Sequence, residues 1–307
     1  MRSVLAFVRL GRPLFLGGGF LLFALGAACA ALAGHPLDGR RYALGQAAVT
    51  AFQLMTHYAN DYFDYDADRA NTTPTTWSGG SRVLANAELP RHVALGAARV
   101  LAALGAAAAI ALCREAGGRT APLLVAIGGL AWAYSAPPLR LCATGLGELD
   151  TAVVVTGLVP VLGFLLQAPD LVGLGTLGLA LVPLALLQLA MLMAIEFPDA
   201  AGDAATGKRT LVVRLGAGRA AGLYAGVTAL AFLWLPAAWA LGLPARVALC
   251  AAVPAPFAAW RIARIAEHRD PAAYERLTFG AVALLIATSL AELVGFVTLW
   301  CGGPPHA

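Results

Sequence analysis

Apolar stretches close to the length of a bilayer crossing recur along the whole chain, and a sequence so patterned is built for lipid. They fall at about residues 13–34, 41–60, 92–112, 120–136, 149–168, 171–195, 219–241, 244–264 and 277–301. An α-helix needs about 20 mostly apolar residues to span the hydrocarbon core. In lipid it satisfies its backbone hydrogen bonds internally, which an isolated strand cannot do. The pattern predicts an all-α integral membrane protein with about nine transmembrane helices, and no linker divides residues 1–307 into more than one polytopic domain. Composition agrees, since 60% of residues are hydrophobic and only 12% charged, well away from soluble averages. The fourth stretch is short, and only Gln167 to Asp170 separates the fifth from the sixth, so hydropathy alone leaves eight or ten spans open. The first stretch has basic residues ahead of it and an Ala-rich end, as a signal peptide does. Its apolar run is too long for the core of such a peptide, so it reads as a retained helix.

Lys and Arg concentrate in cytoplasmic loops. With the N-terminus inside, the inner segments carry Arg2, Arg9, Arg12, Arg69, Arg82, Arg91, Arg140, Lys208, Arg209, Arg214, Arg219, Arg261, Arg264, Arg269 and Arg276. The outer loops hold only Arg40, Arg41, Arg114, Arg119 and Arg246, and Arg99 lies within the third stretch. The expected location is the inner or plasma membrane, crossed many times. The net charge of +4 follows from this bias, and no basic tract interleaved with aromatics points to nucleic acid. The five cysteines are scattered without CxxC spacing, which argues against a disulfide framework and a zinc site.

Against this background Asn60 to Asp68, NDYFDYDAD, places four carboxylates directly after an apolar run. At 100° per residue Asp61, Asp64 and Asp68 fall within about 60° of one another, and Asp66 lies on another face. Continued into the second stretch, the same face collects Gln53, His57 and Asn60. An unpaired acid within a spanning segment costs at least about 2.5 to 3.5 kcal/mol, so such a stripe faces a cavity or a cation. Crowded carboxylates raise one another's pKa unless a cation offsets them. Mg2+ is the natural candidate, because it takes carboxylate oxygens and keeps positions open for phosphates.

A second acidic segment, Glu196 to Gly216, reads EFPDAAGDAATGKRTLVVRLG. Asp199 and Asp203 are four apart and share a face with Gln188, Glu196 and Thr206. Pro198 predicts a kink or a new helix start there. Both acidic motifs, 60–68 and 196–210, are expected in cytoplasmic loops. Gly202 to Lys208 matches the opening of a phosphate-binding GxxxxGK loop, but Arg209 replaces the required Ser/Thr and no strand precedes it. Lys208 is the only lysine in the chain. The acidic clusters follow the second and sixth stretches, so two four-helix units carry carboxylates at the same relative place, with a ninth helix appended. Antiparallel packing of these units would bring both clusters to one mouth.

Two further stretches fit an anion at that mouth. SGGSRVL, Ser78 to Leu84, offers flexible backbone amides and Arg82. YSAPPLRL, Tyr134 to Leu141, ends the fourth stretch with a Pro-Pro break and puts Arg140 on the same side. His57 is more readily a satisfied buried histidine than a base. Two acidic magnesium sites, several cations and a membrane-embedded cavity suit a diphosphate with a long apolar tail. Magnesium with Arg and Lys would stabilise the departing diphosphate, and the allylic cation left in the dry cavity would alkylate an electron-rich acceptor.

These residues resemble the UbiA superfamily of membrane prenyltransferases, whose signature is NDxxDxxxD plus a second DxxxD. The first is intact as Asn60, Asp61, Asp64 and Asp68, and the second as Asp199 and Asp203. SGGSRVL, YSAPPLRL followed by Gly145 to Leu149 (GLGEL), and GKRTLVVRLG are similar to the menaquinone branch, the 1,4-dihydroxy-2-naphthoate prenyltransferases. That branch usually reads Asn-Asn-x-Arg before its second motif, and here Ile195-Glu196-Phe197-Pro198 stands instead.

The resemblance implies a single helical bundle around a central cavity and Mg2+-dependent transfer of a polyprenyl group from its diphosphate to an aromatic acceptor, dihydroxynaphthoate first. In that reading Asp61, Asp64, Asp68, Asp199 and Asp203 bind metal and diphosphate. Asn60, Arg82, Arg140, Lys208 and Arg209 orient or neutralise it, and His57, Tyr134 and Glu196 line the substrate site, with Glu196 a polar contact or a base for a phenol. The alternatives are the same chemistry on a hydroxybenzoate, homogentisate, a tetrapyrrole or a glycerol phosphate lipid. More distant is an ion-coupled transporter, whose acids would sit near the bilayer midplane rather than at helix ends.

Overall fold

The computed structural model describes residues 2–303. Helices α1 (Arg2–Leu10), α2 (Pro13–Leu32), α3 (Gly39–Phe63), α4 (Tyr65–Ala70), α5 (Arg91–Ala116) and α6 (Ala121–Ala133) come first. They are followed by α7 (Gly147–Val153), α8 (Val159–Leu165), α9 (Leu174–Ala205), α10 (Leu211–Leu215) and α11 (Ala217–Ala240). The chain ends with α12 (Ala245–Ala252), α13 (Ala255–Ala263) and α14 (Tyr274–Cys301), and no strand occurs among the described residues. A single π turn over Val154–Leu158 joins α7 and α8 into one rod. This is an all-α integral membrane protein.

Among the described residues six segments are long and apolar enough to cross a membrane on their own: α2, α5, the α7–α8 rod, α9, α11 and Pro271–Cys301. Helix α3 is 25 residues long, yet the polar residues it turns to the cavity, Gln53, His57 and Asn60, make it less apolar than the others. Helix α6 has 13 residues, and the stretch at 244–264 breaks before Pro254 into α12 and α13. A proline lacks the N–H that would continue the ladder, which accounts for that break.

Small residues let these helices approach. Gly26 of α2 sits on the backbone of Pro160, and Gly163 of α8 sits on the backbone of Phe23, so a methyl group at either position would meet main chain. Between apolar helices in lipid, such close backbone contact is a main source of association energy. The Phe52 ring of α3 is seated against Gly105 of α5 and Gly128 of α6, fixing α3 between them.

Of the two outcomes expected at Pro198, a kink or a new helix start, the second does not occur. No new helix begins there: α9 runs through both Pro183 and Pro198 to Ala205. Neighbouring polar groups can satisfy the backbone around a membrane-helix proline. Thr73 Oγ1 donates to the carbonyl of Pro198 itself at 2.8 Å and so ties the loop to α9, whereas the carbonyl that loses its N–H partner to the proline is that of Ala194. The second acidic motif is therefore mostly helical, with only residues 206–210 beyond the helix end.

Away from the cavity, Glu292 of α14 is fully buried, and neither carboxylate oxygen has a hydrogen-bond partner. A buried polar group without a partner costs about 1 to 3 kcal/mol. Glu292→Leu, similar in volume, is expected to raise the thermal unfolding midpoint in detergent, and a lower midpoint would show that Glu292 has a partner worth keeping.

Candidate active site

The N-terminal end of α2, the C-terminal ends of α3 and α9, and the loop from Asn71 to Leu89 meet at one end of the bundle. Arg12, the residue before α2, adopts a left-handed conformation (φ 47°, ψ 59°), which is uncommon outside glycine. Its guanidinium donates to Asp61 and, at 3.0 Å, to Asn60 Oδ1. Asp61 is also capped by the Ser81 hydroxyl and, at 3.2 Å, by the Ser81 N–H. Burial alone would lower the Arg12 pKa, but the Asp61 and Asp68 charges outweigh it and hold the group charged well above the ordinary value.

The helix does not run unbroken through the first motif. It ends at Phe63, and Asp64 (φ −93°, ψ 7°) joins α3 to the short α4. Three aspartates on one ideal face become two environments. Asp64 and Asp68 lie on the wall of the central cavity, whereas Asp61 lies behind it, under Arg12 and Ser81. Asp66 is exposed, as the helical projection predicts.

The two acidic motifs meet through Lys208. Its Nζ lies 3.0 Å from Asp64 Oδ2 and 3.1 Å from Asp203 Oδ1. Burial works against the ammonium, yet Asp64 and Asp203 together raise its pKa well above the ordinary value. Asn60 adds a hydrogen bond to Asp64 at 2.7 Å and one to Ser135 at 3.1 Å. On the other side, Asp199 is held by Asn71 Nδ2 at 2.7 Å and by the Gly79 N–H at 3.1 Å. The expectation that both clusters reach one mouth holds at these contacts.

Below the mouth the cavity wall turns apolar. Phe15, Leu22, Val49, Phe52, Ile127, Val159, Met191 and Leu285 line it, together with Gln53, His57 and Gln188. Leu22 is ten residues along α2 from Arg12, about 15 Å at 1.5 Å per residue. A charged head and an apolar tail of several isoprene lengths thus have separate surroundings in one cavity.

Several sequence-derived assignments need correction. Arg82 donates to the carbonyls of Asp68 and Gly79 and so shapes the loop, and it lines a second pocket that adjoins the central cavity through Arg12, Trp77 and Gly80 rather than the central cavity itself. Arg140 and Arg209 are off the wall too. Arg209 is exposed and enters the fold through its backbone, its N–H donating to Ala143 and its carbonyl accepting from Arg214. Asp199 and Asp203 sit on α9 rather than in a loop. Tyr134, Glu196, His57, Asn60 and Lys208 do line the cavity. His57 Nε2 is buried without a partner, beside the Phe15 ring. Arg12, Asn71 and Ser81 were missed by sequence reasoning. Arg12 carried one signal, a basic residue at the head of the first apolar stretch; Asn71 and Ser81 carried none.

The residues present suit a divalent cation of the hard, oxygen-seeking kind. Among the described residues no three His, Cys, Asp or Glu side chains converge as one ligand set. Mg2+ does not need such a set, since it binds through one or two carboxylates plus water and substrate phosphates. Burial, and then the Asp61 charge, push the Asp68 carboxyl well above the usual range, with Asp64 and Asp199 adding to this and Arg12 opposing it. A cation between the motifs would relieve that repulsion. Gly80 (φ +73°) packs directly on the Asp68 carboxylate, where a Cβ would collide with it. Gly80→Ala adds strain of about 1 to 2 kcal/mol from the left-handed backbone alone. It is expected to weaken metal and diphosphate binding, and calorimetric titration with unchanged affinity would contradict this.

A helical membrane bundle with an acidic and cationic mouth above an apolar shaft defines the class: a membrane protein in which one cavity has a charged end and an apolar end. The chain belongs to the UbiA prenyltransferase family, matching it over residues 20–285. It is 34% identical over 197 residues to the 1,4-dihydroxy-2-naphthoate octaprenyltransferase of Mycobacterium tuberculosis, an alignment covering 61% of this chain and 62% of that one. Its fold is similar to a solved digeranylgeranylglyceryl phosphate synthase, with TM-score 0.64, 16% identity, and 97% and 100% of the two chains covered. It is also similar to a UbiA homologue from Archaeoglobus fulgidus solved with geranyl diphosphate (GPP) and Mg2+, with TM-score 0.60, 17% identity, and 94% and 99% covered.

Proposed function

We propose that this protein transfers a polyprenyl group from its diphosphate to an aromatic acceptor, with 1,4-dihydroxy-2-naphthoate as the first candidate in menaquinone synthesis. The observation that carries this reading is the Asp64–Lys208–Asp203 bridge, which joins both acidic motifs over an apolar cavity. Asp64, Asp68, Asp199 and Asp203 would hold Mg2+, which supplies charge neutralisation to the diphosphate when bound. Lys208 and Arg12 add fixed positive charge beside it. Asn60 orients Asp64, while Asn71 and the Gly79 N–H orient Asp199. Asp61 acts one step back, by holding Arg12 and the Ser81 turn. The apolar wall excludes water from the allylic centre, so that the acceptor ring rather than water captures it. The distribution of Lys and Arg supports a mouth facing the cytoplasm.

A second reading keeps the chemistry and changes the acceptor. Glu196 occupies the cavity wall where the related branch usually carries Asn-x-Arg, which favours an acceptor bound through hydroxyl groups. One assay separates the readings: purified protein, Mg2+, labelled prenyl diphosphates of several lengths and a panel of acceptors. Prenylated naphthoquinol supports the first reading, and product only with hydroxybenzoate overturns it. No prenyl product with any acceptor overturns prenyl transfer itself.

A further inference from the structure

Just below the mouth, the cavity wall carries buried polar atoms that the protein itself does not satisfy. Asp150 on α7 and Glu196 on α9 are each 8% exposed, and both side chains line the cavity. Asp150 Oδ1 and Glu196 Oε2 have no hydrogen-bond partner, and neither residue enters an ion pair among the described residues. Carboxylate oxygens only accept, so whatever completes these two must bring donors. The wall offers none to spare: its Arg12 is engaged by Asp61, and its Lys208 by Asp64 and Asp203.

Helix rise gives their depth. Gly147, which opens α7, packs on Cys142 and the Tyr134 ring, and Cys142 Sγ lies 3.8 Å from the Asp64 carboxylate at the mouth. Asp150 is three residues further into α7, and Glu196 is three residues before Asp199 on α9, so each lies about 4.5 Å along its helix from the mouth. Beyond Asp150 the wall continues as Val154, Val155 and Val159 across the π turn. The two acids therefore stand between the charged mouth and the apolar shaft.

We propose that Asp150 and Glu196 are the groups that read the acceptor, each accepting one ring O–H, and that the acceptor class is an aromatic diol rather than a monohydroxy arene. This rests on prenyl transfer to an aromatic acceptor. A diphosphate held at the mouth brings its C1 carbon down to the level of these acids, and two hydroxyl anchors on different helices fix the ring against that carbon. A carboxylate on the acceptor is repelled by both acids and turns up toward Arg12 and Lys208. Asp150 is thus a specificity residue on a wall that is otherwise apolar below it.

The test is calorimetric titration of the full chain in nanodiscs, with Mg2+ and an unreactive thiolo analogue of the prenyl diphosphate. The probes are 1,4-dihydroxy-2-naphthoate and the 1-hydroxy and 4-hydroxy acids that each lack one of its hydroxyls. The wild type is expected to bind the diol at least about 10-fold more tightly than either monohydroxy acid, the scale for a hydrogen bond to a charged group. Asp150→Leu and Glu196→Leu should each erase the discrimination against one of the two acids, a different one in each variant, since a hydroxyl without its acceptor has no bond to lose. Asp150→Asn keeps an acceptor oxygen and should restore part of it. Affinity for the diphosphate analogue should stay unchanged throughout. Equal wild-type affinities for the three acids, no binding of any of them, discrimination that survives in both leucine variants, or weakened diphosphate binding in its place would overturn the proposal. Adding a reactive diphosphate to the same samples separates the two readings. Product with unaltered discrimination keeps prenyl transfer and removes the hydroxyl assignment, and altered discrimination without product does the reverse.

Discussion

Asp199→Asn and Asp64→Asn are each expected to lower prenyl transfer by at least about 100-fold, the scale for losing one group that stabilises developing charge. The two losses should differ in kind. Asp199 is fixed by Asn71 and the Gly79 N–H, so its amide variant removes charge and also sets two N–H donors, Gly79 and its own amide, against each other. Asp64 shares Lys208 with Asp203, so its amide variant leaves Lys208 paired to Asp203. Raising Mg2+ should therefore rescue Asp64→Asn more than Asp199→Asn. Asp66→Asn is the control: Asp66 is exposed, and both stability and turnover should stay at wild-type levels. Full activity in both Asp64 and Asp199 variants, measured by product formation across a Mg2+ titration, would remove these residues from the site.

Lys208→Met is the second substitution with a large expected effect. It leaves Asp64 and Asp203, both buried, without the cation that neutralises them. Removing one partner of a buried charge set costs about 3 to 5 kcal/mol, because the remaining charge is stranded. The variant should melt earlier and lose turnover, and millimolar Mg2+ should recover part of the melting temperature by occupying the vacated positive position. Arg209→Met should do neither, since Arg209 is exposed and its structural contacts run through its backbone. A Lys208→Met protein as stable as wild type without Mg2+ would show that the bridge contributes nothing to the fold.

Much of this architecture could be read from residue order because lipid imposes a simple rule on it. Apolar length identifies α2, α5, α9, α11 and α14 directly. It also finds α3 and α6, but the reason α3 tolerates Gln53, His57 and Asn60 is a cavity that sequence can only imply. Projection onto an ideal helix separated the exposed Asp66 from its neighbours, but it could not show that Asp61 is engaged by Arg12 and Ser81. Those partners come from other segments, while i→i−4 backbone bonds continue across Asp64 from Asn60 to Asp68. Proline rules left a kink or a new helix start open at Pro198, and α9 continues through it to Ala205. Arg140 and Arg209 carry charge and sit in motif-like sequence, yet both lie off the cavity wall, and Arg82 lines only the adjoining pocket at its mouth. Arg12, Asn71 and Ser81 reach the site only through tertiary contacts between segments distant in the chain, and no local pattern marks such contacts.

The single lysine gives the protein an analytical handle. Apart from the α-amino terminus, Lys208 is the only primary amine in 307 residues, and it sits between two carboxylates at the cavity mouth. An amine-selective reagent therefore has one side chain to modify, and because Asp64 and Asp203 keep that amine protonated it reacts only as the bridge opens. Its rate of reaction reports whether the mouth is filled, for any headgroup, acceptor or inhibitor, in detergent or in native membrane. Occupancy could then be titrated by peptide mass alone, before any product is formed.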